Sequence, residues 1–191
     1  VKYSQAAQRK TVDTFWSDTP ACEHSVQLYA CETSFIDALE GYAAAGIRGG
    51  DAIIVIATPE HREALEQRLA EGGFDVQTAA RRGQYIALDA RATLDRFVVD
   101  GWPDEVRFRA LIGDLVATAR EHYPCVRAFG EMVGLLWAEG RHAATLELER
   151  LWTRLCQEER FPLFCAYSQA LFADPAAAEL IRAAHARVCP F

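Results

Sequence analysis

Gly46-Ile47-Arg48-Gly49-Gly50-Asp51-Ala52-Ile53-Ile54-Val55-Ile56-Ala57-Thr58-Pro59-Glu60-His61 is the stretch that decides the fold of this 191-residue chain. Residues 52–57 form a continuous apolar run with no polar alternation. That pattern predicts a strand buried on both faces, as in the centre of a parallel sheet. Pro59 suits a first helical turn, so a helix is expected immediately afterwards. Strand, tight turn, helix is the layout of a phosphate-binding loop. Such a loop uses glycines to bring backbone N–H groups close to phosphate, and a Lys-Ser/Thr pair for phosphate and magnesium. The turn at Thr58 has neither glycine nor lysine, and Pro59 removes an N–H. The stretch therefore reads as a nucleotide-binding type of scaffold without ATPase apparatus, which points to sensing or binding instead of hydrolysis.

Working outward, residues 24–29 alternate and suit a first strand. Phe35, Ile36, Leu39, Tyr42 and Ala43 recur at helical spacing, with Thr33 or Ser34 as a cap and Gly46, Gly49 and Gly50 as the stop. The helix from Pro59 runs to Gly72-Gly73, Phe74-Asp75-Val76 reads as a short strand, and residues 85–90 as a further apolar strand. Residues 91–99 read as a helix closed by Asp100-Gly101. Val106, Leu111, Ile112, Leu115, Val116 and Ala119 mark an amphipathic helix. A strand over 126–131, a long helix with Leu148, Leu151, Trp152 and Leu155 inward, a strand over 163–167 and a helix over 175–187 complete the pattern. Strands and helices alternate, which predicts an α/β fold: a mostly parallel central sheet with helices on both faces, a three-layer sandwich. Residues 1–21 read as an N-terminal arm or linker, and 22–191 as one domain.

The hydrophobic fraction of 51% supports a sizeable core. A net charge of −7 and an isoelectric point near 5.3 argue against direct nucleic-acid binding, which needs clustered Lys and Arg. No apolar run approaches the ~20 residues of a membrane span, and the first residues lack the apolar core of a signal peptide. A cytoplasmic protein is expected. Val1 stands where an initiator Met would, so the chain also reads as a piece of a longer protein. The six cysteines form no C-x-x-C pair and read as reduced and structural, with Cys125 and Cys165 in the core. Cys22, Cys31 and Cys189 are the exposed candidates under a redox-sensing alternative.

Ligands of open parallel sheets bind beyond the carboxyl ends of the strands. That rule selects Thr58, His61, Asp89, Glu131 and Tyr167; His24, at the start of the first strand, and Tyr29 could line a pocket with them, and these seven are the candidate ligand-binding residues, with no catalytic or metal residue assigned. Glu131 follows Gly130 at a strand end, where a carboxylate contacts a ligand or cation, or else pairs with an arginine such as Arg127 or caps the next helix. His61 sits in a first helical turn, where the macrodipole favours a neutral imidazole. Thr58 and Asp89 read first as helix caps, and Arg62 as a partner of Glu66. His24 and Tyr29 belong to the first strand and Tyr167 ends the last. Trp137 and Trp152 read as core. Glu147 and Glu149 read as solvated charges flanking the helix stripe, with an inward Glu149 facing Arg150 or Arg154 as the alternative.

His24-Ser25-Val26-Gln27-Leu28-Tyr29 followed by Gly46-Ile47-Arg48-Gly49-Gly50-Asp51 resembles the opening of the MEDS domain, the sensory domain of methanogens, methylotrophs and the dichloromethane regulator DcmR. Tyr85-Ile86-Ala87-Leu88-Asp89-Ala90, Thr93-Leu94, Val126-Arg127-Ala128-Phe129-Gly130-Glu131-Met132-Val133, Leu136-Trp137, Glu149 with Trp152, Leu163-Phe164-Cys165-Ala166-Tyr167 and His185-Ala186-Arg187-Val188 continue the likeness from about residue 22 to 188. The resemblance implies a RecA/KaiC-like fold with a degenerate phosphate loop. It implies a sensory module attached to DNA-binding or histidine-kinase domains, with small hydrocarbon derivatives as ligands. No cofactor is assigned. The expected partners are such a small molecule, an output domain or partner signalling protein, and a second copy in a homodimer. Rival readings are a nucleotide-binding protein with weak or lost hydrolysis, a protein-interaction module without a small ligand, and the redox sensor.

Overall fold

The computed structural model describes residues 15–17 and 19–190. Six strands form one all-parallel sheet in the order β3-β2-β6-β7-β1-β8. They are β1 (His24–Tyr29), β2 (Ala52–Ala57), β3 (Tyr85–Asp89), β6 (Val126–Gly130), β7 (Leu163–Ser168) and β8 (Arg187–Val188). A separate antiparallel pair joins β4 (Val98–Val99) to β5 (Trp102–Pro103). The helices are α1 (Glu32–Gly49), α2 (Pro59–Glu71), α3 (Val76–Arg81), α4 (Ala90–Leu94), α5 (Glu105–Phe108), α6 (Asp114–Arg120), α7 (Met132–Ala138), α8 (His142–Glu159) and α9 (Pro175–Ala183).

The strands divide their side chains between two cores, as the period of two requires. Ile53, Val55, Ala57, Phe129 and Phe164 pack with α1, α2 and α3 on one face. Ile54, Ile56, Ala128, Leu163, Cys165 and Tyr167 pack with α4 to α9 on the other. The layers are therefore helices, sheet, helices, as the alternation of elements predicts. Among the described residues no helix is long and apolar enough to cross a membrane.

Glycine explains how α1 meets β2. Gly50 ends α1 in the left-handed region at φ 80°, and the Asp51 N–H returns to the Gly46 carbonyl at 2.9 Å. Gly46 lies inside the helix instead of stopping it. A Cβ there would stand 2.2 Å from Ile53 Cδ1 and 2.8 Å from Arg127 Cδ. The helix can approach the central strand only because that Cβ is absent. Arg127 crosses this junction, donating from Nε to Asp51 Oδ2 at 2.6 Å and from a terminal nitrogen to the Trp16 carbonyl at 2.9 Å. Trp16 is buried edge-on against Tyr42. Residues 1–14 and 18, most of the expected arm, lie outside the described residues.

Several local expectations are corrected. Residues 74–76 do not form a strand, because Asp75 accepts the Thr78 N–H at 2.9 Å and starts α3. The helix expected over 91–99 stops at Leu94, and Asp100-Gly101 instead turns the β4–β5 hairpin. Both turn residues have positive φ, 50° and 81°, as a two-residue hairpin loop demands. The amphipathic helix over 106–119 is α5 and α6 joined by a π-turn at Arg109–Gly113. The C-terminal helix stops at Ala183, and Arg187–Val188 adds the edge strand β8 beside β1. β1 is consequently buried along its whole length, so its alternating sequence does not mark a solvent face. No disulfide joins the six cysteines; Cys125 is exposed, Cys189 buried and Cys22 half-buried, whereas Cys165 is in the core and Cys31 is exposed as expected.

Candidate functional site

The chain leaves the carboxyl ends of neighbouring strands toward opposite faces at β2/β6 and at β7/β1. Such divergence opens a crevice in a parallel sheet. At β2/β6 the backbone N–H of Glu131 is tied to the Ile56 carbonyl at 2.9 Å, which fixes the Glu131 side chain over the adjoining strand end. Its carboxylate accepts the Thr58 N–H at 2.8 Å and faces His61 Nδ1 at 2.7 Å. Thr58 therefore uses its backbone, not its hydroxyl, and makes no side-chain cap of α2. The other His61 nitrogen lies 2.8 Å from Glu32 Oε2. Phe35 stands edge-on to His61 and stacks on Tyr29, whose phenol bonds to Glu32. Tyr29, Glu32, Phe35, Thr58, His61 and Glu131 thus form one rim.

The His61 imidazole is not held neutral. Burial alone pushes its pKa down, but Glu131 and Glu32 outweigh that and raise it above 6.5. A group whose pKa rises on folding adds stability that is complete below its unfolded value and disappears as pH climbs through the folded one. Thermal unfolding of wild type and His61→Gln across pH 5–9 tests this. The wild-type advantage is expected to be largest at the acidic end of that range and to shrink on the alkaline side of 6.5. A gap that is constant with pH would contradict the ion pairing.

At β7/β1 the crevice is a cleft of about 280 Å³. Leu28 and Ala30 at the end of β1, Ser34 in α1, Gln169 after β7 and the C-terminal residues Arg182, Val188, Cys189 and Pro190 line it. Gln169 is fixed by donating to the Leu28 carbonyl at 2.8 Å. The lining mixes apolar surface with an amide, a hydroxyl and a guanidinium.

The remaining sequence candidates divide. Asp89 does cap α4, accepting the Ala92 N–H at 2.7 Å, and it faces Arg62 at 3.7 Å, which displaces the expected Arg62–Glu66 pair. Arg127 is turned to Asp51 and does not reach Glu131. His24 and Tyr167 point away from the rim into the core below the sheet, where Glu149 joins them. The Tyr167 hydroxyl donates to Glu149 Oε1, and His24 Nε2 lies 3.4 Å from Glu149 Oε2. His185 Nε2 lies 3.4 Å from the same oxygen, and Cys165 Sγ is 3.3 Å from His24 Nε2. Glu149 is 1% exposed, so it is neither a solvated flank nor a partner of Arg150, which pairs with Glu147 and Glu105. Its position was readable: Thr145, Glu149, Trp152 and Cys156 share one helical face by their spacing of three and four. His185 lies beyond α9 and carries no comparable signal.

The MEDS family, described as the MEthanogen/methylotroph, DcmR Sensory domain, matches residues 23–185. The chain belongs to this family. The MEDS match begins at the residue before β1 and ends at His185, so it takes in the rim, the buried cluster and every strand of the parallel sheet but the edge strand β8. No curated protein matches the chain.

Proposed function

We propose that this MEDS domain is the ligand-binding part of a cytoplasmic signalling protein, and that a small organic molecule seats in the cleft at the carboxyl ends of β1 and β7. The observation that carries the reading is the cleft itself, at a strand divergence where parallel sheets bind ligands. Its volume suits a molecule of a few heavy atoms, and its half-apolar wall suits a hydrocarbon derivative with one polar group. Gln169, Ser34 and Arg182 would orient that group.

Ser34 and Glu32 both belong to the start of α1, so a ligand at Ser34 adjoins the His61–Glu131 network through one helical turn. The ligand shifts output only through differential affinity for two arrangements of these elements. The helices carry the shift to an attached DNA-binding or kinase domain, or to a second copy. A RecA-like origin of the scaffold accords with the parallel sheet. Hydrolysis is not part of this reading, since neither Ala30-Cys31 nor Thr58-Pro59 offers glycine or lysine to a phosphate.

The experiment is a thermal-shift panel of short alcohols, carboxylic acids, amines and halocarbons, with ATP-magnesium as the rival, on wild type and Ala30→Trp. Ala30 is exposed at the cleft wall, so the indole fills the cleft without entering the core. Ligand at a hundred times its Kd stabilises by about 2.7 kcal/mol, or roughly 5–11 °C for a chain of this length. One chemical class is expected to stabilise wild type and not Ala30→Trp. Stabilisation by ATP-magnesium alone, or an equal shift in both proteins, overturns the assignment.

A further inference from the structure

Four potential metal ligands meet below the sheet: His24 from β1, Cys165 from β7, Glu149 from α8 and His185 after α9. One ligand atom from each lies within 4.8 Å of all the others. The closest approaches, 3.3 Å from His24 Nε2 to Cys165 Sγ and 3.4 Å from each imidazole to Glu149 Oε2, match the edges of a tetrahedron drawn around an ion with bonds of about 2.0–2.3 Å. We propose that these residues bind one divalent transition metal, zinc by preference.

Two independent observations support the site. Glu149 Oε2 and His185 Nε2 are buried and meet only in a 3.4 Å ion-pair contact, without a hydrogen bond of good geometry. Their side chains are 1% and 0% exposed. So long a contact leaves polar atoms at that depth incompletely satisfied, and a cation between them would engage both. The outer contacts are also those of ligands. His185 Nδ1 donates to the Ile181 carbonyl at 2.7 Å, His24 Nδ1 meets Thr153 Oγ1 at 2.8 Å, and Tyr167 holds the second Glu149 oxygen. Each imidazole thus has its Nδ1 side engaged and its Nε2 aimed inward, the arrangement that orients metal-binding histidines.

Charge balances. A dication with one thiolate and one carboxylate is neutral, which a buried site requires. Nitrogen and sulfur donors favour zinc over magnesium or calcium, and four protein ligands leave no open position, which marks a structural site. Because His185 follows α9, the metal would pin to the core the C-terminal segment that forms one wall of the cleft. The inference does not depend on what the cleft binds.

The test refolds the full chain with cobalt(II) or zinc(II) present, so that burial is no barrier to entry. The expected result is one tightly held equivalent and a cobalt spectrum with tetrahedral ligand-field bands and a thiolate charge-transfer band. Cys165→Ser is expected to lose the charge-transfer band while keeping its circular dichroism. Thr153→Val, which touches no metal, covers the case of a Cys165 variant that does not fold. It is expected to weaken binding by about 10–100-fold. Folded wild type that takes up no cobalt, or a charge-transfer band that survives in folded Cys165→Ser, overturns the proposal.

Discussion

Glu149→Ala, measured in chelator-treated protein, is expected to destabilise the fold by about 3–5 kcal/mol, because it removes one side of a buried charged pair and strands the other. For a chain of this length that is a fall in Tm of roughly 6–20 °C. Glu149 receives the Tyr167 hydroxyl and lies 3.4 Å from both His24 and His185. Its pKa is held at about 2: burial opposes ionisation, but His185, His24 and Tyr167 together outweigh burial. Without the carboxylate, Tyr167 loses its acceptor and His185 loses its counter-charge. A double variant with His185→Ala is expected to cost less than the sum of the two singles, since both report one interaction. A loss within the ~0.5 kcal/mol of ordinary surface substitutions would contradict the placement of Glu149 in the core.

Trp152→Ala is the second large effect, at about 3–5 kcal/mol for a buried aromatic reduced to a methyl. The indole is fully buried, stands edge-on to Phe108 at 5.1 Å, and closes over Gly130, where a Cβ would meet the ring at 3.3 Å. Gly130 directly precedes Glu131, so the cavity opens beneath the rim. Urea unfolding reads the stability loss, and a parallel ligand titration reads the effect on the rim. Weakened ligand response alongside the stability loss is expected. A Trp152 variant of wild-type stability would contradict the packing of α8 against β6.

The fold was legible because its central strands carry no alternation. Residues 52–57 are apolar at every position, and only a strand covered on both faces accommodates that. The elements that escaped are short. β8 and the β4–β5 pair have two residues each, below the length at which periodicity speaks. The Asp100-Gly101 signal is present but reads equally as a helix stop, since a following Gly serves either purpose. At the site, the strand-end rule reached Thr58, His61 and Glu131, which gather at one edge with Tyr29. It does not separate Tyr167 from them, because membership of a strand does not say toward which face a side chain turns. His24 lies at the opposite end of β1 from Tyr29, and Tyr167 turns down to Glu149. The tetrad of His24, Glu149, Cys165 and His185 comes from four elements spread over 161 residues of separation between His24 and His185. No local pattern encodes it.

Native mass spectrometry of the freshly purified chain, beside Ala30→Trp, tests the ligand-sensing account most directly. The account predicts a small organic molecule, copurified or taken up from the panel, held by wild type and lost from the variant. A nucleotide adduct, an adduct retained equally by Ala30→Trp, or bare protein with every compound offered would contradict it.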